Sequence, residues 1–187
     1  SSAHSAVVNT LLKALQARDY MTEGHGERMK NLVALLGREL KLSDSTLTNL
    51  ELLAQFHDIG KVGIPDRILF KRESLTEEEY REMQRHSEIG QRIALASSEL
   101  SSLADLILKH HEWWDGRGYP FGLAGEQIPL ECRIISLVDA YDTMTHDRPY
   151  SKAVSPQEAL EEIARCSGTQ FDPNITALFL KLLGYSG

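Results

Sequence analysis

Residues 56–65 read Phe-His-Asp-Ile-Gly-Lys-Val-Gly-Ile-Pro, setting an imidazole, His57, beside a carboxylate, Asp58, with an ammonium, Lys61, three residues on. Adjacent His and Asp side chains can donate to one centre only where the backbone itself ends towards it, at a helix terminus. Gly60, Gly63 and Pro65 stop the helix there, since glycine at the C-terminal boundary and proline beyond it are the usual breakers. Alone, such a pair is more often structural than chemical. The chain has seven histidines, and His25, His57, His86, His110 and His111 fall at inward positions or ends of predicted helices, as do Asp58 and Asp139. One buried imidazole is satisfied by one carbonyl. Five that converge with two carboxylates need something cationic at the centre. Nitrogen and oxygen donors without thiolate suit a first-row divalent metal such as iron, manganese, nickel or zinc, and not a structural zinc finger. These ligands outnumber what one ion takes with a position left open, and two ions bridged by a carboxylate fit the count.

Helices must carry those side chains. Val8, Leu11, Leu12 and Leu15 stripe residues 5–19, which read as a helix docked on its own core, the end of an incoming signalling helix, or the seam of a homodimer. A second helix over 22–40 opens at Thr22 and turns Met29, Leu32, Leu36 and Leu40 inward, and His25 shares that face one turn earlier. Ser43 caps a third, through Leu47, Leu50, Leu53 and Ala54 to His57 and Asp58. Thr76-Glu77-Glu78-Glu79 is a capping box, so a helix from 77 carries Tyr80, Met83 and then His86. Residues 99–111 put Leu100, Leu103, Leu106 and Ile107 on one face and end in His110-His111. Glu112 to Pro120 is a long ordered loop, and such loops tend to be functional. An apolar helix over 130–144 surrounds Asp139, an acid costly to bury unless paired or bound to metal. Ser155-Pro156 and Asp172-Pro173 open the last two helices. No segment alternates with period two, so the fold class is all-α.

At 187 residues the chain suits one core, and one domain is expected. No apolar run reaches bilayer-spanning length and no charged-then-apolar leader opens the chain, so it reads as cytoplasmic, with no membrane insertion. A start at Ser1-Ser2, without methionine, reads as a piece of something longer. Cys132 and Cys166 lack metal or redox spacing and are expected to be reduced and structural. A net charge of −7 argues against general affinity for DNA or RNA. An anionic substrate would need local cations, which bound divalent metals supply.

The run His57-Asp58-Ile59-Gly60-Lys61, the pair His110-His111, the segment from His111-Glu112 through Trp114-Asp115-Gly116 to Gly118-Tyr119-Pro120, and Asp147-Arg148-Pro149-Tyr150 together resemble the HD-GYP family, a branch of the HD metal-dependent phosphohydrolases. The likeness runs from about Asp19 to Leu180. The His-Asp pair recurs in many hydrolases, whereas the extended Trp-Asp-Gly-x-Gly-Tyr-Pro segment marks this branch. The resemblance implies a compact helical bundle of the HD phosphohydrolase type over 19–187, with residues 1–18 a helix connecting to an upstream sensory domain. It implies hydrolysis of bacterial cyclic dinucleotides, chiefly cyclic di-GMP, to linear pGpG or GMP, by water whose pKa two metals lower roughly from 15.7 towards 7.

Carried over by that resemblance, the metal ligands are His25, His57, Asp58, His86, His110, His111 and Asp139, with Asp58 the expected catalytic bridge; how the histidines divide between ions is left open. Members with three metals carry a glutamate four residues before the first histidine. Met21 stands there, and Glu23 lies on the opposite helix face, so a binuclear centre is expected, of iron or manganese before nickel or zinc. Lys61 is the expected partner of the phosphate or leaving oxygen, and Arg148 a substrate contact. The family's lysine three residues after that arginine is Ser151 here, with Lys152 displaced by one. Gly118, Tyr119 and Pro120 are expected to form a rigid loop exposing an aromatic, for pocket shaping or for docking a diguanylate cyclase (GGDEF) domain, with Trp113 and Trp114 as packing residues. Two further readings remain: a module that binds cyclic di-GMP or a cyclase without turnover, and an HD hydrolase of a mixed cyclic dinucleotide.

Overall fold

The computed structural model describes residues 2–18, 24–148 and 151–187, and among these no strand forms. The expected helix start at Thr22, and Met21 and Glu23, lie outside the described residues. α1 (Ser2–Arg18) leads to α2 (His25–Glu39), whose inward face buries Met29, Val33 and Leu36. α3 (Asp44–Phe56) begins where Ser43 accepts a hydrogen bond from Thr46 N at 3.2 Å, and it buries Leu50, Leu53 and Ala54. His57 closes that helix, and the chain tightens into a 3₁₀ turn over Ile59–Gly63 before the single turn of α4 (Asp66–Leu69).

One expected helix becomes two. α5 (Glu77–Gln84) has the capping box, with Glu79 N on Thr76 Oγ1 at 3.1 Å and Thr76 N on Glu79 Oε1 at 2.9 Å. It stops at Gln84, and His86 opens α6 (His86–Leu95) instead of continuing its stripe. The two segments answer to different neighbours. α5 buries no residue and its Met83 covers a small cluster of Ile64, Ile68 and Leu69, whereas α6 buries His86, Ser87, Gly90 and Ala94. With no glycine or proline at the junction, periodicity runs through it unmarked. The expected helix over 99–111 is likewise shorter: a 3₁₀ turn over Ser101–Leu103, then α7 (Ala104–Lys109), with His110 as its cap.

α8 (Leu130–Thr145), α9 (Pro156–Arg165) and α10 (Pro173–Leu182) complete the bundle, the last two opened by Ser155 and Asp172 with proline in the first turn, as their sequences require. The core gathers α2, α3, α7 and α8, with Leu160, Ile163 and Phe179 added from the last two helices. α1 lies against the 3₁₀ turn: Leu15 is buried, and Arg18 donates to the carbonyls of Lys61 at 3.2 Å and Val62 at 3.1 Å, to that of Ile64, and to the Asp66 carboxylate at 2.8 Å. No helix among the described residues is long and apolar enough to cross a membrane.

Gly60 fixes how this frame meets the site. A Cβ there would lie 1.8 Å from His86 O and 2.5 Å from Gly90 N, so the turn after Asp58 touches α6 backbone to backbone. Gly60→Ala should therefore push His86 away from Asp58 and, as other overpacked sites do, cost about 1–3 kcal/mol. Urea unfolding of the metal-free variant checks this, and a midpoint equal to that of the unchanged protein would contradict it.

Candidate metal centre

Five helices deliver the seven ligand-type residues, four of them by an end. His25 is the first residue of α2, His57 and Asp58 follow the last turn of α3, His86 is the first residue of α6, and His110 and His111 follow α7; Asp139 alone comes from within a helix, α8. A helix end brings backbone and side chain to one point, which an interior position cannot do for two neighbouring residues.

The seven fall into two groups that share one member. His25, His57, Asp58 and Asp139 offer ligand atoms within 4.8 Å of one another, and so do Asp58, His86, His110 and His111. Asp58 divides its oxygens between them. Oδ2 lies 3.2 Å from His57 Nε2, and Oδ1 lies 3.6 Å from His110 Nε2 and 3.9 Å from His86 Nδ1. Lys61 Nζ sits 3.3 Å from Oδ2. Geometry thus sorts the histidines into His25 and His57 on one side of Asp58 and His86, His110 and His111 on the other.

The imidazoles are aimed. His57 Nδ1 donates to Ala54 O at 3.0 Å and His110 Nδ1 to Ile107 O at 2.6 Å, in each case three residues back. Those carbonyls belong to final helical turns, where intrahelical partners run out. The bond fixes the tautomer and turns Nε2 inward, as an outer hydrogen bond does for metal-ligating histidines. His25 Nδ1 faces Asp142 Oδ2 at 2.5 Å, leaving Nε2 at 2.7 Å from Asp139 Oδ1. Asp142 is held in turn by Arg28, whose Nε and a terminal nitrogen donate at 2.8 and 3.0 Å. Sequence reasoning missed both residues, although Asp142 stands one turn after Asp139 on the same helix and could have been found by that spacing. Glu112 was also missed: buried, it accepts Phe121 N and Leu123 N, each at 2.9 Å, and ties down the following loop.

A metal fits this donor set. His57 Nε2, His86 Nδ1 and His110 Nε2 are buried side-chain atoms without a hydrogen-bond partner, an expensive condition for three nitrogens around one carboxylate. A divalent cation satisfies them together. The two groups that share Asp58 offer the donor atoms such an ion takes.

Charge is distributed unevenly. Burial alone would lower the His25 imidazole, but hydrogen bonds to Asp139 and Asp142 outweigh it and raise its pKa to about 9. His57 is likewise held well above 6.5, against burial, by the charge of Asp58 and the neighbouring Asp139. Burial wins at His86, aided by His110 and Lys61, and pulls it down to about 3; it also holds His111 well below 6.5. Asp58 stays ionised because His57 and Lys61 overcome its burial, and Asp139 because His25 and His57 do. The group of His86 and His111 therefore presents neutral imidazoles, whereas the group of His25 and His57 must release protons to take a cation.

The remaining expected site residues are placed differently. Tyr119 is folded back onto His111, ring centroids 5.0 Å apart at 19°, so the Gly-Tyr-Pro loop does not expose its tyrosine as expected; Phe121 is the exposed aromatic, at 61%. Arg148 lies beyond α8, its backbone paired with Ser151, and two cavities that border the cluster are lined by other residues. One, of about 110 Å³, lies under α1 between Leu12, Leu15, Gln16, His25, His57 and Asp58. The other, of about 260 Å³, runs from His110, His111 and Asp139 to Trp113, Thr143 and Gln170. Trp113 takes the Arg117 guanidinium over its ring at 5.8 Å and lines that cavity, so it does more than pack.

A sequence family described as "HD domain" matches residues 9–175. A cyclic di-GMP phosphodiesterase of Thermotoga maritima is 40% identical over 94% of this chain and 48% of its own length, and the cyclic di-GMP phosphodiesterase response regulator RpfG of Xanthomonas campestris is 38% identical over 93% and 47%. The chain spans about half the length of these curated relatives. The crystal structure of a cyclic GMP-AMP specific phosphodiesterase of Vibrio cholerae, V-cGAP3, superposes with a TM-score of 0.70 at 26% identity, covering 95% of this chain and 48% of that one. All-α architecture and ligand-bearing helix ends thus define an HD-type domain. The chain belongs to the HD domain family, in its HD-GYP branch.

Two outcomes follow for the metal centre. Without metal, the His25 pairing stabilises the fold fully below pH 6.5 and fades as pH rises through about 9, whereas a cation needs His25 and His57 deprotonated and binds better along the same path. The rise in Tm that manganese causes should therefore grow from about pH 6.5 towards 9; differential scanning calorimetry reads it, and an increment that shrinks would be wrong in sign. Asp142→Asn should weaken manganese binding by about 10- to 100-fold through misaligned His25, read by isothermal titration.

Proposed function

We propose that this domain is a metal-dependent phosphodiesterase that hydrolyses cyclic di-GMP to linear pGpG, GMP or both. The observation that carries the reading is the split of the Asp58 carboxylate, one oxygen towards His57 and the other towards His86 and His110. That arrangement suits a binuclear centre held by His25, His57 and Asp139 on one side, by His86, His110 and His111 on the other, and by Asp58 between. Donors of nitrogen and oxygen alone suit a first-row divalent ion, with iron or manganese proposed before nickel or zinc. When bound, two such ions lower the pKa of a water and neutralise the phosphate it attacks.

The chain's own residues do the rest. Lys61, whose ammonium lies 3.3 Å from Asp58, is placed to meet a phosphate oxygen or the departing oxygen beside the shared carboxylate. The 260 Å³ cavity that begins at His110, His111 and Asp139 gives the remainder of a cyclic dinucleotide room to extend, past Trp113 and Gln170. Arg148, although it lines neither cavity, is the proposed contact for the second half of the substrate. A GGDEF domain is the proposed partner for the exposed rim of the loop at Pro120 and Phe121. The domain would work in the cytoplasm, with α1 linking it to an upstream sensory domain.

A mixed cyclic dinucleotide is the second reading, supported by the likeness to V-cGAP3, a phosphodiesterase specific for cyclic GMP-AMP. Manganese-loaded protein incubated in parallel with cyclic di-GMP and 3′3′-cyclic GMP-AMP, with products separated by chromatography, decides between them. Faster loss of the first is expected. Loss of neither would leave a binding module. Asp58→Ala should abolish both metal uptake and turnover. Lys61→Ala should keep the metals and lower kcat on the order of 10²-fold; an unchanged kcat would remove Lys61 from the reaction.

A further inference from the structure

We propose that Tyr119 is a positioning residue for His111, doing by ring stacking what hydrogen bonds do for His25, His57 and His110, so that the Gly-Tyr-Pro loop is part of the metal centre. The inference rests on the metal reading above and goes beyond it. Three ligand imidazoles have an outer anchor: Asp142 for His25, Ala54 O for His57 and Ile107 O for His110. His86 and His111 have none among the described residues; His86 is buried by the packing of α6, whereas His111 is only partly buried. A ligand imidazole free to rotate about its side-chain torsions loses affinity, because the ion must then order it.

The His110 and His86 rings stand 4.1 and 4.9 Å from that of His111, tilted and edge-on, and the flat face of Tyr119 adds the one stacked contact that His111 has among the described residues. Its ring lies 5.0 Å from that of His111 at 19°, while its other contact is edge to face with Tyr80, 6.3 Å away at 82°. Offset stacking of this kind contributes beyond area burial. The loop is built to deliver it. Tyr119 N returns to His111 O at 3.2 Å, and both carboxylate oxygens of buried Glu112 hold the next stretch through Phe121 N and Leu123 N. Gly118 permits the fold-back, since a Cβ there would lie 2.3 Å from Trp113 N and 2.4 Å from His111 O. These restraints converge on one tyrosine ring placed against one ligand.

Manganese titration of the whole chain by calorimetry tests the assignment, with circular dichroism as the check on folding. Tyr119→Leu and Tyr119→Ala should weaken one of two binding steps by about 10- to 100-fold and leave the other within about twofold, since His25, His57 and Asp139 have their own anchors. Tyr119→Phe keeps the ring and should bind like the unchanged protein. Folded Leu and Ala variants that take up both ions with undiminished affinity would overturn the proposal, as would a Phe variant as weak as the Ala variant, which would transfer the role to the hydroxyl. If the unchanged protein takes up no manganese, the metal reading itself falls and this inference falls with it.

Discussion

The constraint on which the structure depends is a largely desolvated carboxylate, Asp58, that must be met by cationic or ligand-bearing groups on both of its edges. A carboxylate out of water is tolerated only when paired or bound to a cation. Asp58 has His57 and Lys61 at one oxygen and His86 and His110 facing the other. Three stretches of chain, distant in sequence, are held to one point by that requirement. The core around α2, α3, α7 and α8 is the apolar scaffold that makes the convergence affordable.

Helix termini are how the scaffold delivers ligands. At the ends of α3 and α7 the same device appears twice: the capping histidine donates Nδ1–H to the carbonyl three residues back and turns Nε2 inward. One bond satisfies a carbonyl that the helix leaves without a partner and orients a ligand. At the start of α2 the anchor is a side chain, Asp142, itself fixed by Arg28. The centre is therefore stiffened from outside by groups that would never touch a substrate, and its charge is biased so that His25 and His57 are protonated without metal while His86 and His111 are neutral.

Much of this was legible in the sequence because local rules governed it. Ser43, Thr76, Ser155 and Asp172 announce helix starts, and each accepts the backbone hydrogen bond its type predicts. The break at Arg85 was not legible, because no glycine or proline marks it and the apolar period continues across it; contact between α6 and Gly60 decides it. Tyr119 was misjudged for a related reason. Glycine and proline around it say that the loop is rigid, but not which way its ring faces.

The sequence by itself determined the all-α class, the cap positions and the set of ligand-type residues, because these follow from periodicity and from the chemistry of single side chains. Tertiary structure alone decided which histidines stand together, that Asp58 turns one oxygen to each group, and that Asp142, Arg28 and Glu112 support the site. Those facts depend on distances between residues as far apart as His25 and Asp142, and no local pattern encodes a distance of that kind until the helices pack.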